Sequence, residues 1–226
     1  MSSRKQTYNR DIAARGRPKE QSKGSGKSIL AVVEGKETER IYLLGVRDAL
    51  QLSAVRVQVL HAEVTDPVNI VREAIRLRDE QAERAKQTET VVAFDEVWAV
   101  FDREEQNHPR REQMPAAKLL AQQKGIEVAV SIPSFEFWFL LHYRYTTSPF
   151  ADGDAVIAAL KKFLPDYKKE TPPMRTLLDR IETAVEHSKR CRKHWGKCGG
   201  DCNPCSDIDR LIVSLNASAG PVFRLF

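Results

Sequence analysis

Short apolar runs alternate along this chain with stretches of helical periodicity. Residues 29–33 are five apolar residues without alternation, the pattern of a strand covered on both faces. The run stops at Glu34 and Gly35, and a helical pattern follows from near Lys36, with Ile41, Leu43, Leu44 and Val46. Residues 55–60 alternate apolar and polar as a second strand. Asp66-Pro67 starts a helix with proline at its first position, carried by Ile70, Val71, Ala74, Ile75 and Leu77 to a charged end near Lys86. Residues 95–101 form a third strand, residues 115–124 a helix opened by Pro115 and stopped by Gly125, and residues 126–131 a fourth strand before Pro133. This alternation predicts an α/β fold, a mostly parallel sheet with helices on both faces.

Beyond Pro133 the pattern turns helical. Ser134 is placed to cap an intensely apolar helix reaching Tyr143, one that has to be buried. Residues 152–163, a helix opened by Pro172-Pro173 and running through Leu177, Leu178, Ile181 and Val185, and residues 207–216 complete the pattern. The expected organisation is a basic arm over 1–28, an α/β core over 29–145 and a helical extension over 146–226.

Composition adds bounds. With 226 residues, 42% hydrophobic and 30% charged, the chain suits one globular domain with a modest extension. No apolar run approaches the roughly 18 residues of a membrane helix, and residues 1–27 lack the apolar segment of a secretory leader, so a cytoplasmic location is expected. The net charge of +5 is concentrated at the start, where residues 1–28 hold eight Lys or Arg against Asp11 and Glu20. That arm has no apolar face and is expected to be disordered when free and to touch nucleic acid electrostatically, against the plainer reading of a solvated tail. Gly26-Lys27-Ser28 ends like a phosphate-binding loop, but a strand follows it where that motif needs a helix, which excludes the match.

Candidate chemistry lies at the strand ends. Glu34 sits at the carboxyl mouth of the first strand, where open α/β sheets place their ligands. Asp102 and Glu104 follow the third strand two residues apart, so in extended backbone they fall on one side and can share a cation. Parallel pairing brings Glu34 alongside. Glu136, in the first turn of the apolar helix, reads either as a partner of the helix dipole or as a further member of the acidic set. His142 reads as a packed residue and Lys36 as an exposed one.

These residues resemble the Toprim fold, whose first motif is an apolar strand ending in Glu-Gly and whose second is a strand ending in Asp-x-Asp. More narrowly, Val33-Glu34-Gly35-Lys36-Glu37-Thr38-Glu39, Val100-Phe101-Asp102-Arg103-Glu104 and Ser134-Phe135-Glu136-Phe137-Trp138-Phe139-Leu140-Leu141-His142 look like the RloB family of bacterial phage-resistance proteins, over roughly residues 28–143. Glu104 stands where the second Asp would be, and Ile132-Pro133 where the third motif has Asn-Pro. The resemblance implies a Toprim-like sheet and a nuclease effector of phage defence working with an ATPase partner. It leaves association with further copies of the chain open.

The four cysteines, Cys191, Cys198, Cys202 and Cys205, fall within fifteen residues. In a cytoplasmic protein they are expected to be reduced or metal-bound. Cys202-Asn203-Pro204-Cys205 has the gap that lets two thiolates grip one tetrahedral ion, so a structural Zn²⁺ held by the four thiolates, or by three and a histidine, is set against unligated thiols.

The function expected is Mg²⁺- or Mn²⁺-dependent cleavage of phosphodiester bonds in RNA or DNA, with Asp102 and Glu104 on the metal, Glu34 as bridging ligand or acid-base group and Glu136 in support. The alternative is a non-catalytic nucleic-acid-binding or adaptor protein with a degenerate acidic mouth.

Overall fold

The computed structural model describes residues 26–103, 110–198 and 202–226. Along the chain run β1 (Ile29–Val33), α1 (Thr38–Ala49), β2 (Val57–His61), α2 (Pro67–Gln87), β3 (Glu96–Asp102), α3 (Arg110–Lys124), β4 (Glu127–Ile132) and α4 (Glu136–Leu141). They are followed by α5 (Gly153–Leu160), α6 (Met174–Leu178), α7 (Ile181–Cys198), β5 (Cys205–Ser206) and α8 (Ile208–Ser218). The strands form one sheet in the order β2-β1-β3-β4-β5. The first four are parallel, and β5 joins β4 antiparallel through Ser131–Ser206 and Ile132–Cys205. The expected α/β class is observed, in an arrangement consistent with a Toprim-like sheet.

The unbroken apolar run of β1 has its explanation in this order. β1 is flanked by β2 and β3 and covered on both faces, and all five of its residues are buried. Because successive side chains of a strand point to opposite faces, Ile29, Ala31 and Val33 enter one core and Leu30 and Val32 the other. β3 repeats the division: Trp98 and Val100 join the first core, Val97, Ala99 and Phe101 the second. The first core is closed by Tyr42, Leu43 and Val46 of α1, by the apolar side chains of α4, and by α5 to α8; the second by α2 and α3. Full burial of such aliphatic and aromatic side chains contributes about 1.5–3 kcal/mol each, which makes the apolar α4 a main anchor of the first face. Asp102 continues the series Trp98, Val100, and its carboxyl therefore falls on the face that α1 and α4 cover.

The expected elements appear with three corrections. α3 begins at Arg110, with Pro115 inside it. Met114, immediately before that proline, is buried in the second core with Ala117 and Ala121, so packing holds the added turn. Ser134 does not cap α4: the capping position is Phe135 and no side chain bonds there, because the Ser134 hydroxyl donates instead to Glu136 Oε2 at 2.7 Å. The helix expected from Pro172 divides at Asp179-Arg180 into α6 and α7. Gly125 does end α3, at φ +66° in the left-handed region. The segment after residue 145 completes the first core with Val156, Leu177, Val185 and Leu211, and adds β5 to the sheet edge.

Candidate active site

From β1 the chain passes to β2 on one side, while from β3 it passes to β4 on the other. The order of the sheet thus reverses between β1 and β3, and a crevice opens at their carboxyl ends. Glu34 and Asp102 stand there. The Glu34 N–H donates to the Val100 carbonyl at 3.0 Å, extending the ladder one residue past β1, and Glu34 Oε2 accepts from the Asp102 N–H at 3.3 Å. Asp102 Oδ2 in turn accepts from the Phe135 N–H at 3.0 Å, which ties the strand end to the start of α4.

Two helices bring further acids. Glu39, in the first turn of α1, is only 8% exposed. A Cβ at Gly35 would lie 1.8 Å from Glu39 Oε2, so that carboxyl occupies space that only glycine leaves beside Glu34. Glu136 is 3% exposed. Besides Ser134 it accepts from the Tyr167 hydroxyl at 3.3 Å and pairs with Lys169 Nζ at 3.4 Å. The Thr38 hydroxyl donates to the Lys169 carbonyl at 3.2 Å, fastening that loop to the head of α1.

Crowding of like charges out of water governs the titration here. Burial, followed by the nearby Glu39, Glu136 and Glu34, holds the Asp102 carboxyl well above the usual carboxylate range, against the opposing Phe135 N–H. Burial, then Glu136 and Glu34, pushes Glu39 up to about 7, with Lys169 opposing. Burial alone would lower Lys169, but Glu136, Asp102 and Glu39 raise it.

Glu34 and Asp102 are therefore brought to one mouth as the strand-end reasoning expects, Glu136 joins them from α4, and Glu104 lies outside the described residues. Sequence reasoning missed Glu39, Ser134, Tyr167 and Lys169. Glu39 carries a legible signal, an acid in the first turn of the helix that leaves the mouth. Tyr167 and Lys169 carry none, since they arrive from a loop far along the chain. Lys36 is exposed. His142 is a core residue: its Nδ1–H donates to the Trp138 carbonyl at 2.9 Å, Tyr42 OH donates to its Nε2 at 3.3 Å, and burial lowers it to about 3. Lys27 pairs with Glu96 at the start of β3, at the opposite end of the sheet from Glu34.

The donor set suits a hard divalent cation, because it consists of carboxylate oxygens. Among the described residues, no three His, Cys, Asp or Glu side chains are already gathered closely enough to hold one ion.

The cysteines depart from expectation. Cys202 and Cys205 are bonded to each other as a disulfide, where the sequence predicts free or metal-bound thiols. Cys191 does not join them. It is buried in the first core, its Sγ donates to the Thr146 carbonyl at 3.4 Å, and burial pushes its thiol up to about 11, whereas Cys205 lies in the second core. The Cys198 side chain lies outside the described residues. Cys191 therefore stands apart from the Cys202–Cys205 pair: α7 turns Cys191 into one layer while the loop before β5 carries Cys205 to the other.

Fold and mouth together define an α/β protein with an acidic centre at the switch point of its sheet. The chain belongs to the RloB-like protein family, whose model matches residues 29–215. That span includes the whole acidic centre and reaches through the helical segment into α8. No curated protein matches the chain. No helix among the described residues is long and apolar enough to cross a membrane.

Proposed function

We propose that this RloB-like protein is a Mg²⁺- or Mn²⁺-dependent nuclease of the Toprim type, and that it serves as the toxic effector of a phage-defence system restrained by an ATPase partner. The observation that carries the nuclease reading is the convergence of Glu34, Glu39 and Glu136 on Asp102 at the sheet's switch point, with Lys169 at the edge of the cluster. Carboxylates crowded at a ligand-binding mouth are stabilised by a cation. Glu34, Asp102 and Glu104 would hold it, and bound there it would polarise a phosphodiester and favour a water nucleophile. The defence role and the ATPase partner draw on the family alone.

The chain's own residues divide the remaining work. Asp102 is oriented by the Phe135 N–H, and Glu136 by Ser134 and Tyr167. Glu39, raised to about 7, is poised to exchange a proton near neutral pH, which suits general acid-base catalysis. Lys169 brings a cation to the edge of the cluster, where a scissile phosphate would carry its charge.

The test incubates purified protein with mixed cellular RNA and plasmid DNA in Mg²⁺, Mn²⁺ or EDTA, beside Glu34→Gln and Asp102→Asn variants. Cleavage that needs the metal and disappears in both variants supports the reading and identifies the polymer. Cleavage that survives in both sinks the assignment of these residues. Absence of cleavage together with retained nucleic-acid binding favours the adaptor alternative.

A further inference from the structure

We propose that one face of α7 is a docking surface for the backbone of a nucleic acid, a step that rests on the nuclease reading only in naming the polymer. Arg190, Lys193, His194 and Lys197 recur at i, i+3, i+4 and i+7, which places them on one side of the helix, and all four are exposed. With Tyr145 they line an open cavity of about 330 Å³. The other side of α7 is committed to structure: Ala184, Ser188 and Cys191 are buried, and Arg192 pairs with Asp209 and Asp207. Glu182 and Glu186, two turns and one turn before Arg190, are the acids toward the start of the exposed face.

Charge and shape together favour a polynucleotide. Arg190, Lys193 and Lys197 make no ion pair with a described residue, so their charge is available to phosphates. The Arg190 guanidinium lies 4.0 Å over the Tyr145 ring, and the His187 ring stands 6.0 Å from the same tyrosine. A flat cationic and aromatic platform beside free lysines matches a strand that offers flat bases as well as phosphates. An acidic peptide offers only carboxylates.

The chain beyond this surface also reaches toward the acidic centre. α7 ends at Cys198, and the Cys202 carbonyl just beyond accepts from the Arg103 guanidinium at 2.8 Å. Arg103 follows Asp102 directly, so the segment that follows α7 in sequence touches the chain bordering the carboxyl mouth.

The experiment measures binding of fluorescent single-stranded RNA and DNA oligonucleotides to the full chain in EDTA, across a salt series. It compares wild type with Lys193→Gln/Lys197→Gln, with Lys193→Arg/Lys197→Arg and with Lys161→Gln/Lys162→Gln, a control pair exposed elsewhere. Removing two phosphate contacts lowers the slope of log K against log salt by about 1.4 and weakens binding roughly 25-fold at ~0.1 M salt. The arginine pair and the control are expected to stay within about twofold of wild type, on the same counterion argument. An α7 glutamine pair that binds like the control overturns the proposal. So does displacement of the oligonucleotide by polyglutamate at equal charge concentration, which assigns the face to an acidic protein. Since no cleavage is read, the two ideas fail separately. Metal-dependent cleavage with an unaffected α7 variant removes the docking surface alone, and salt-sensitive loss of binding in a protein that never cleaves removes the nuclease alone.

Discussion

Two aspartates in this protein are treated in opposite ways. Asp209 of α8 is 1% exposed and fully answered: both terminal nitrogens of Arg192 donate to it, and the Ser188 hydroxyl donates to Oδ1 at 2.8 Å. Asp102 accepts one backbone N–H and otherwise faces Glu34, Glu39 and Glu136. A structural carboxylate is neutralised by a fixed counter-charge, because breaking such a pair strands a charge in low dielectric. A carboxylate left among its own kind costs stability, and that cost is sensible where a ligand is to supply the missing charge. The comparison separates a site built to hold the fold from one that the fold holds in reserve.

The largest effect that tests this contrast is functional. Asp102→Asn is expected to lower metal-dependent cleavage by about 10³-fold while leaving the unfolding midpoint unchanged or higher, since it relieves crowding. Asp209→Asn is expected to do the reverse. Loss of this counter-charge costs at most about 3 kcal/mol, the low end of the range for a broken buried pair, because Asp207 stays 3.8 Å from Arg192 and the Arg192 side chain is 33% exposed. Thermal unfolding with cleavage measured on the folded fraction decides both, and equal destabilisation by the two substitutions would erase the distinction.

Next in size is the pH response of Glu39. Its folded-state value of about 7 lies above the ordinary 4.5. The unfolded chain therefore ionises first as pH rises, and stability falls between about 4.5 and 7, then levels. Glu39→Gln removes that loss. In EDTA the variant is expected to be more stable than wild type at pH 8, by an upper bound of about 3 kcal/mol, and equal to it at pH 4. A difference that persists at pH 4 would mean that packing, not charge, is responsible.

Legibility followed the range of the interactions involved. β1 and β3 announced themselves because burial on both faces demands unbroken apolar runs, and their terminal acids were visible as the point where each run stops. Glu39 was one step further: its place depends on how α1 leaves Gly35, a local matter that spacing can carry. Tyr167 and Lys169 depend on a loop after α5 reaching back to α1, which no periodicity records. The cysteines misled for a related reason. Clustering in sequence suggested one metal, but β5 and α7 divide Cys205 and Cys191 between the two faces of the sheet, while Cys202 and Cys205 remain together.

The smallest expected effect bears most directly on how the acids are kept crowded. Gly35 leaves the room that the Glu39 carboxyl fills, and an added Cβ would approach Oε2 to 1.8 Å. That oxygen is the far end of a side chain with rotatable bonds, so Gly35→Ala is expected to turn the carboxyl aside rather than break α1, and to change stability by less than about 1 kcal/mol at pH 4. Moving Glu39 away from Glu34 and Glu136 lowers its affinity for the proton. The decline in stability between pH 4.5 and 7 should then become shallower in Gly35→Ala than in wild type, approaching the flat profile of Glu39→Gln. Thermal midpoints across that interval read the change. A profile as steep as that of wild type would show that Glu39 keeps its place without the glycine, and that the crowding at the mouth of β1 is maintained by α1 alone.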